Sequence, residues 1–268
     1  MLREERARVN QLAPYPAMWT DVVDLRDFYD TSLGQVARRL IRRRMRMIWP
    51  NVAGLSVLGV GFATPFLRPF KDEAERVVAV MPASQGVLPW PAQEPNVVAL
   101  AEENELPLPD RSIDRLVLVH ALESTEQVRA MMRECWRVLS DGGRLLVVAP
   151  NRRGIWARLE RTPFGNGRPY TPTQLSRLLR DNMFTPLQSS SALFVPPTRS
   201  RMILGSASWI EGLGFRWFQT FAGVLLVEAG KQIYAAPTVR VKAKRRRAYL
   251  PVPQTLRTNS DEAPPPAM

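Results

Sequence analysis

The chain has 268 residues, of which 45% are hydrophobic, and a formal charge of +12. That length and apolar content fit one large domain with extensions. One cysteine, Cys135, excludes an internal disulfide and fits a reducing compartment, and one cysteine with one histidine makes no set of structural metal ligands. The chain starts with the charged Met-Leu-Arg-Glu-Glu-Arg, which lacks the apolar core of a secretion signal, and it has no long uncharged apolar run. The expectation is therefore a cytoplasmic protein without a transmembrane segment.

Residues 1–30 are mixed in character, contain Pro14 and Pro16, and read as an N-terminal extension anchored by Tyr15 and Trp19. From about Thr31 to Ile48 the spacing is helical: Ala37, Ile41, Met45 and Ile48 form one stripe, flanked by Val36 and Leu40. Arg38, Arg39, Arg42, Arg43 and Arg46 lie off the stripe, and Pro50 ends the segment. This predicts an amphipathic helix laid on the core, with a basic outer face that is either a solvated rim or a contact for polyanions or anionic lipid.

Leu55 to Pro65 then runs from apolar to small residues and predicts a buried strand, a tight turn and the start of a helix. Gly59 and Gly61 permit a sharp turn and close approach of a ligand, and Pro65 suits the first helical position. Further strands are expected at Arg76 to Met81, Asn96 to Ala101, Asp114 to His120 and Arg144 to Ala149. Residues 125–139 have helical spacing, and Asp141-Gly142-Gly143 reads as a turn that tolerates positive φ. A helix is expected over 171–183, with Thr171 as N-cap and Pro172 at the first position. Leu187 to Val195 reads as a sixth strand, 199–217 as helical and rich in Trp and Leu, and Gly223 to Glu228 as a last strand whose short link suggests an antiparallel edge.

Apolar strands alternating with helices imply a mostly parallel sheet covered on both faces, in which ligands sit beyond the carboxyl ends of the strands. The fold expected is α/β and Rossmann-like. Residues 31–236 make up the domain, and 237–268 form a basic, Pro-rich tail expected to be disordered.

Three stretches carry a resemblance to a known family. They are Val57-Leu-Gly-Val-Gly-Phe-Ala-Thr-Pro65, the run from Leu106-Pro-Leu-Pro-Asp to Val119-His-Ala-Leu-Glu123, and the run from Glu134-Cys-Trp-Arg to Val148-Ala-Pro150. Together these resemble the class I S-adenosylmethionine-dependent methyltransferases, in particular the type 11-like subfamily, with a degenerate glycine-rich motif. The resemblance spans roughly residues 30–230 and implies seven strands, the last one antiparallel. It implies S-adenosyl-L-methionine as cofactor, lying across the ends of strands one and two. Gly61 matches the family's first loop glycine, Ala63 stands at the second and Pro65 at the third. Glu102 stands where the family often has an acid near the adenine, and Gly59 and His120 complete the expected cofactor contacts. Gly59 and Met81 stand where the family has the acids that hold the cofactor's amino group and ribose. A hydrogen bond to a charged group is worth about 1.5–3 kcal/mol, so losing two weakens binding by about a hundredfold or more.

Methyl transfer from an activated sulfonium depends mainly on in-line positioning, so the lack of a catalytic triad is no objection. No catalytic residue is assigned. His120 is the candidate, either touching cofactor or acceptor, or simply bonded to backbone. Glu123 follows as a capping acid or a site residue. Asn151, Arg152 and Arg153 could clamp an anionic acceptor. Trp156, Tyr170 and the Trp209 to Trp217 region could wall a pocket or pack the core, and Cys135 reads as a buried apolar residue. The function expected is methyl transfer to an unidentified small-molecule acceptor. The alternatives are a catalytically silent binding or regulatory module, and nucleic-acid binding through the basic helix and tail. The enzymatic reading expects space above Gly61 that Phe62 and Met81 leave open.

Overall fold

The computed structural model describes residues 21–233, apart from 199 and 218. The lead-in before residue 21 and the basic tail lie outside the described residues. The strands are β1 (Ser56–Gly61), β2 (Arg76–Pro82), β3 (Val98–Ala101), β4 (Ile113–Val119), β5 (Leu139–Pro150), β6 (Phe184–Ala192) and β7 (Val224–Lys231). They form one sheet in the order β3-β2-β1-β4-β5-β7-β6. The pairings β1–β2, β1–β4, β2–β3 and β4–β5 are parallel, and β7 runs antiparallel to both of its neighbours, as expected. All six residues of β1 are buried, as an apolar strand covered on both faces requires.

One face of the sheet carries α1 (Val22–Asp30), α2 (Ser32–Ile48), α3 (Thr64–Lys71), α6 (Arg201–Gly205) and α7 (Ala207–Trp217). The other carries α4 (Val128–Val138) and α5 (Pro172–Asp181). The stripe Ala37, Ile41, Met45 and Ile48 of α2 is buried, and Thr31 caps its start by accepting from the Gly34 N–H. Helix α5 opens with a full capping box between Thr171 and Gln174, which explains why Thr-Pro-Thr-Gln starts a helix there. Among the described residues, no helix is long and apolar enough to cross a membrane.

Four details differ from the sequence expectations. Residues 22–30, counted above with the extension, are helical, and Val22, Leu25 and Tyr29 enter the core. Asp141-Gly142-Gly143 is no free turn: β5 runs through it as a bulge between the Ile113–Leu139 and Arg115–Arg144 pairs, and neither glycine takes positive φ. Strand β6 covers Phe184–Ala192, earlier at both ends than Leu187 to Val195, with the Phe184 ring buried and Leu187 exposed. Pro65 takes the second helical position of α3, after Thr64.

The motifs around β4 have a packing reason. Arg137 of α4 donates to the carbonyls of Leu106 and Leu108 and to Asp110, and pairs with Glu134. Glu134 in turn accepts from the Leu106 N–H at 2.9 Å. The two side chains, three residues apart on α4, pin the Leu-Pro-Leu-Pro-Asp loop that feeds β4. These hydrogen bonds hold the Glu134 carboxyl below the usual range and raise Arg137.

Candidate functional site

The carboxyl ends of β2, β1 and β4 form the edge where an open α/β sheet binds ligands. Gly61 ends β1 with φ 82°. A Cβ there would lie 2.3 Å from the Val119 carbonyl oxygen, so only glycine allows β4 to come this close. At Gly59 a Cβ would stand 2.7 Å from both Ala63 and Leu67. Helix α3 packs directly onto that position, so no acidic side chain has room there. Ala63 is buried, and its N–H bonds the Gly61 carbonyl at 2.9 Å, closing the turn.

His120 follows β4 and is buried, with φ 52°, a left-handed conformation uncommon for a side chain of this size. Three contacts fix it. The Tyr29 hydroxyl lies 2.7 Å from Nε2. Glu123 Oε1 lies 3.0 Å from Nδ1. The Gln85 amide donates to the His120 carbonyl. Both ring nitrogens are therefore held, Nε2 by the Tyr29 hydroxyl and Nδ1 by the Glu123 carboxyl group. Burial first, and the Glu123 charge second, push the Tyr29 phenol well above its ordinary value, so it stays neutral. The Phe164 ring packs 5.1 Å from the imidazole.

The Gln85 link crosses the sheet edge. Gln85 follows β2 and His120 follows β4, with β1 between them, so the bond spans the end of β1. Above it, the Val22 N–H of α1 donates to the Gln85 carbonyl at 2.8 Å, and the Tyr29 ring stacks on Phe62 with centroids 5.9 Å apart. Phe62 and Met81 are buried in the same apolar cluster as Tyr29, and the Met81 sulfur accepts from the Leu88 N–H. Gln85, bonded to both α1 and His120, thus closes over the end of β1, and Phe62 packs against Tyr29 beside it. Tyr29, His120 and Glu123 form one hydrogen-bonded chain, and all three are buried.

Glu102 is exposed at the end of β3, and its neighbour Glu103 turns inward. Glu103 Oε1 accepts from the Thr125 hydroxyl at 2.8 Å, while Oε2 is buried without a hydrogen-bond partner, as is Glu123 Oε2. Of the predicted cofactor residues, Gly61, Ala63 and His120 come together; Gly59 sits behind them against α3, and Glu102 lies in solvent. Sequence reasoning missed Tyr29, Gln85 and Glu103. Their partners lie 91, 35 and 22 residues away, so no local spacing marks them.

Beyond β5, Asn151 is buried and donates to the Thr220 and Ala222 carbonyls, a structural task. Trp156 is buried and donates to the Val195 carbonyl at 2.9 Å, which makes it core. Arg152 differs: it is exposed at an open cavity of about 570 Å³, also lined by Arg129, Arg168, Arg177, Tyr170 and Gln174. The wall of this groove rests on Glu123, whose carbonyl accepts from the Arg168 N–H at 2.9 Å. Burial and the Glu123 charge raise the Tyr170 phenol. Among the described residues no cluster of His, Cys, Asp and Glu could hold a metal ion.

Residues 57–147 match a family described as a methyltransferase domain. Over 201 residues the chain is 27% identical to a ubiquinone/menaquinone biosynthesis C-methyltransferase of Rubrivivax gelatinosus, covering 73% of this chain and 77% of that protein. Among solved structures, a methyltransferase of Thermotoga maritima aligns with TM-score 0.55 and 16% identity, over 79% of this chain and 96% of its own. A 1,6-didemethyltoxoflavin-N1-methyltransferase of Burkholderia thailandensis, solved with its acceptor and S-adenosylhomocysteine, aligns with TM-score 0.50 and 16% identity, over 79% and 85%. At these identities the solved structures establish the fold.

Proposed function

We propose, from the premise that this chain is a class I S-adenosylmethionine-dependent methyltransferase, that it methylates a small-molecule acceptor from a site which opens before it works. The observation that carries the condition is the bridge over β1. With Gln85 and Tyr29 both on His120, and Phe62 and Met81 packed behind them, the residues do not fit the cofactor as they stand. No chemical step is therefore assigned to the cofactor, only a requirement on its entry: Tyr29 and Gln85 must leave His120. Family and fold support the reading, and the glycine turn at Gly61 is retained. Small anionic acceptors suit the groove next to Glu123, because Arg129, Arg152, Arg168 and Arg177 offer forked donors to carboxylate or phosphate. A cytoplasmic location, read from the lone Cys135, accompanies this proposal.

A second reading is favoured by the same bridge and by Gly59 and Met81 in place of acids: a silent module that keeps the fold and has replaced its cofactor by its own side chains. Calorimetric titration with S-adenosylhomocysteine, on the wild type and on Gln85→Ala, separates the two. The methyltransferase reading expects heat of binding in the wild type and tighter binding in the variant. No heat in either at millimolar ligand leaves the silent module. Transfer of labelled methyl from S-adenosylmethionine into the anionic small molecules of a cell extract then identifies the acceptor class.

A further inference from the structure

Helices α2 and α7 lie side by side on one face of the sheet, locked by the Arg44 guanidinium 3.7 Å over the Phe215 ring. Each turns a stripe of side chains spaced by four residues away from the core. On α2 the stripe is Arg39, Arg43 and Met47, all exposed. On α7 it is Trp209, Leu213 and Trp217, opposite the buried Ala207, Glu211 and Gly214. Trp209 is 71% exposed and Trp217 68%, and Met202 on α6 reaches 83%. Large apolar side chains this exposed, grouped on one helix, mark a contact surface rather than ordinary scatter.

The exposed charge of these two helices has one sign; Glu73, from the loop after α3, is half-buried in its pair with Arg46. Helix α2 contains no acidic residue, and between residues 199 and 223 the one acid is Glu211. Glu211 is buried and accepts from the Leu193 and Phe194 N–H groups at 3.0 and 2.9 Å, so it does not reach the outer face. Arg216 is exposed next to Trp217. The ledge therefore offers tryptophan, methionine and leucine with arginines and no exposed carboxylate.

We propose that this ledge docks on an anionic lipid bilayer. Tryptophan rings settle at the boundary between headgroups and acyl chains, aliphatic side chains gain by entering it, and arginines pair with lipid phosphates. A second copy of the chain fits less well, because a two-fold contact would face arginines with arginines. Nucleic acid fits less well, because Met47, Met202 and Leu213 gain nothing from a phosphate backbone. The surface is separate from the bridge over β1, so the proposal stands or falls independently of methyl transfer.

The test is flotation of the full-length chain with vesicles of phosphatidylcholine, with or without one third phosphatidylglycerol. The wild type is expected on anionic vesicles, with a blue shift of tryptophan emission. Trp209→Ser with Trp217→Ser should cut the partition coefficient at least tenfold and abolish the shift. Arg39→Gln with Arg43→Gln should cut it by about fivefold per arginine, from about 1 kcal/mol each near a charged surface. These side chains are exposed, so melting temperatures should stay at the wild-type value. Vesicle binding that is unchanged in the tryptophan variant overturns the proposal. So does preference for duplex DNA or RNA over anionic vesicles, or sedimentation showing a wild-type dimer that the tryptophan variant converts to monomer.

Discussion

Tyr29→Phe should weaken the fold and strengthen cofactor binding at once. The substitution keeps the ring that stacks on Phe62 and removes only the hydroxyl 2.7 Å from His120 Nε2. Both partners are fully or nearly buried, so the imidazole nitrogen is left without a hydrogen-bond partner. Such an orphaned group costs about 1–3 kcal/mol. In a domain of about 150–250 residues each kcal/mol lowers the melting temperature by about 2–4 °C, so a fall of roughly 2–12 °C is expected in a thermal scan. Binding moves the other way. If the cofactor enters only after the hydroxyl leaves His120, the closed state reduces the apparent affinity by the fraction that is open. Removing about 1–3 kcal/mol from the closed state raises that fraction by about 5–150-fold. Calorimetry with S-adenosylhomocysteine should therefore show tighter binding in the less stable variant. Lower stability with unchanged or weaker binding would refute Tyr29 as an obstacle to the cofactor.

Three further outcomes follow from the packing. Gly61→Ala forces a side chain into the left-handed region, at about 1–2 kcal/mol, and onto the Val119 carbonyl 2.3 Å away; chemical denaturation should show a loss larger than the backbone cost alone. Arg137→Ala strips donors from the Leu106 and Leu108 carbonyls and leaves Glu134 without its partner; a loss of about 2–4 kcal/mol is expected, and faster amide exchange over residues 106–110 would locate it. Cys135 is fully buried and its thiol is pushed up to about 12 by burial, so a thiol reagent at pH 8 should label it only on unfolding. Because its folded value exceeds the unfolded one, the unfolded state holds fewer protons above about pH 8.5, and the Cys135 contribution to stability should fall as pH rises from there toward 12.

Local chemistry made much of the fold readable. The four-residue spacing of Ala37, Ile41 and Met45, the Thr171-Pro172 start of α5 and the apolar runs of β1, β4 and β5 each encode one element in a few adjacent residues. Glu134 and Arg137 were visible as part of a motif, and the structure supplies their task. Arg44 was not legible: its charge argues for solvent, but stacking on Phe215 covers it. The closed site was not legible either. The resemblance put Gly59 and Met81 at two acid positions, but did not reveal that Ala63 and Leu67 crowd Gly59 or that Tyr29 joins Met81 in one buried cluster. That depends on α1 folding back over the sheet edge, and Tyr29 gives no sign of this in a segment otherwise read as an extension. The inward turn of Glu103 instead of Glu102 is a one-residue choice at the end of β3, set by the Thr125 hydroxyl from a distant loop.

The most direct measurement is a crystal structure of the wild-type chain grown with S-adenosylhomocysteine. The nucleoside should lie over Gly61, with the Tyr29 hydroxyl and the Gln85 amide both drawn away from His120. A complex that shows the ligand bound while both contacts to His120 persist would contradict the bridge as a barrier to the cofactor.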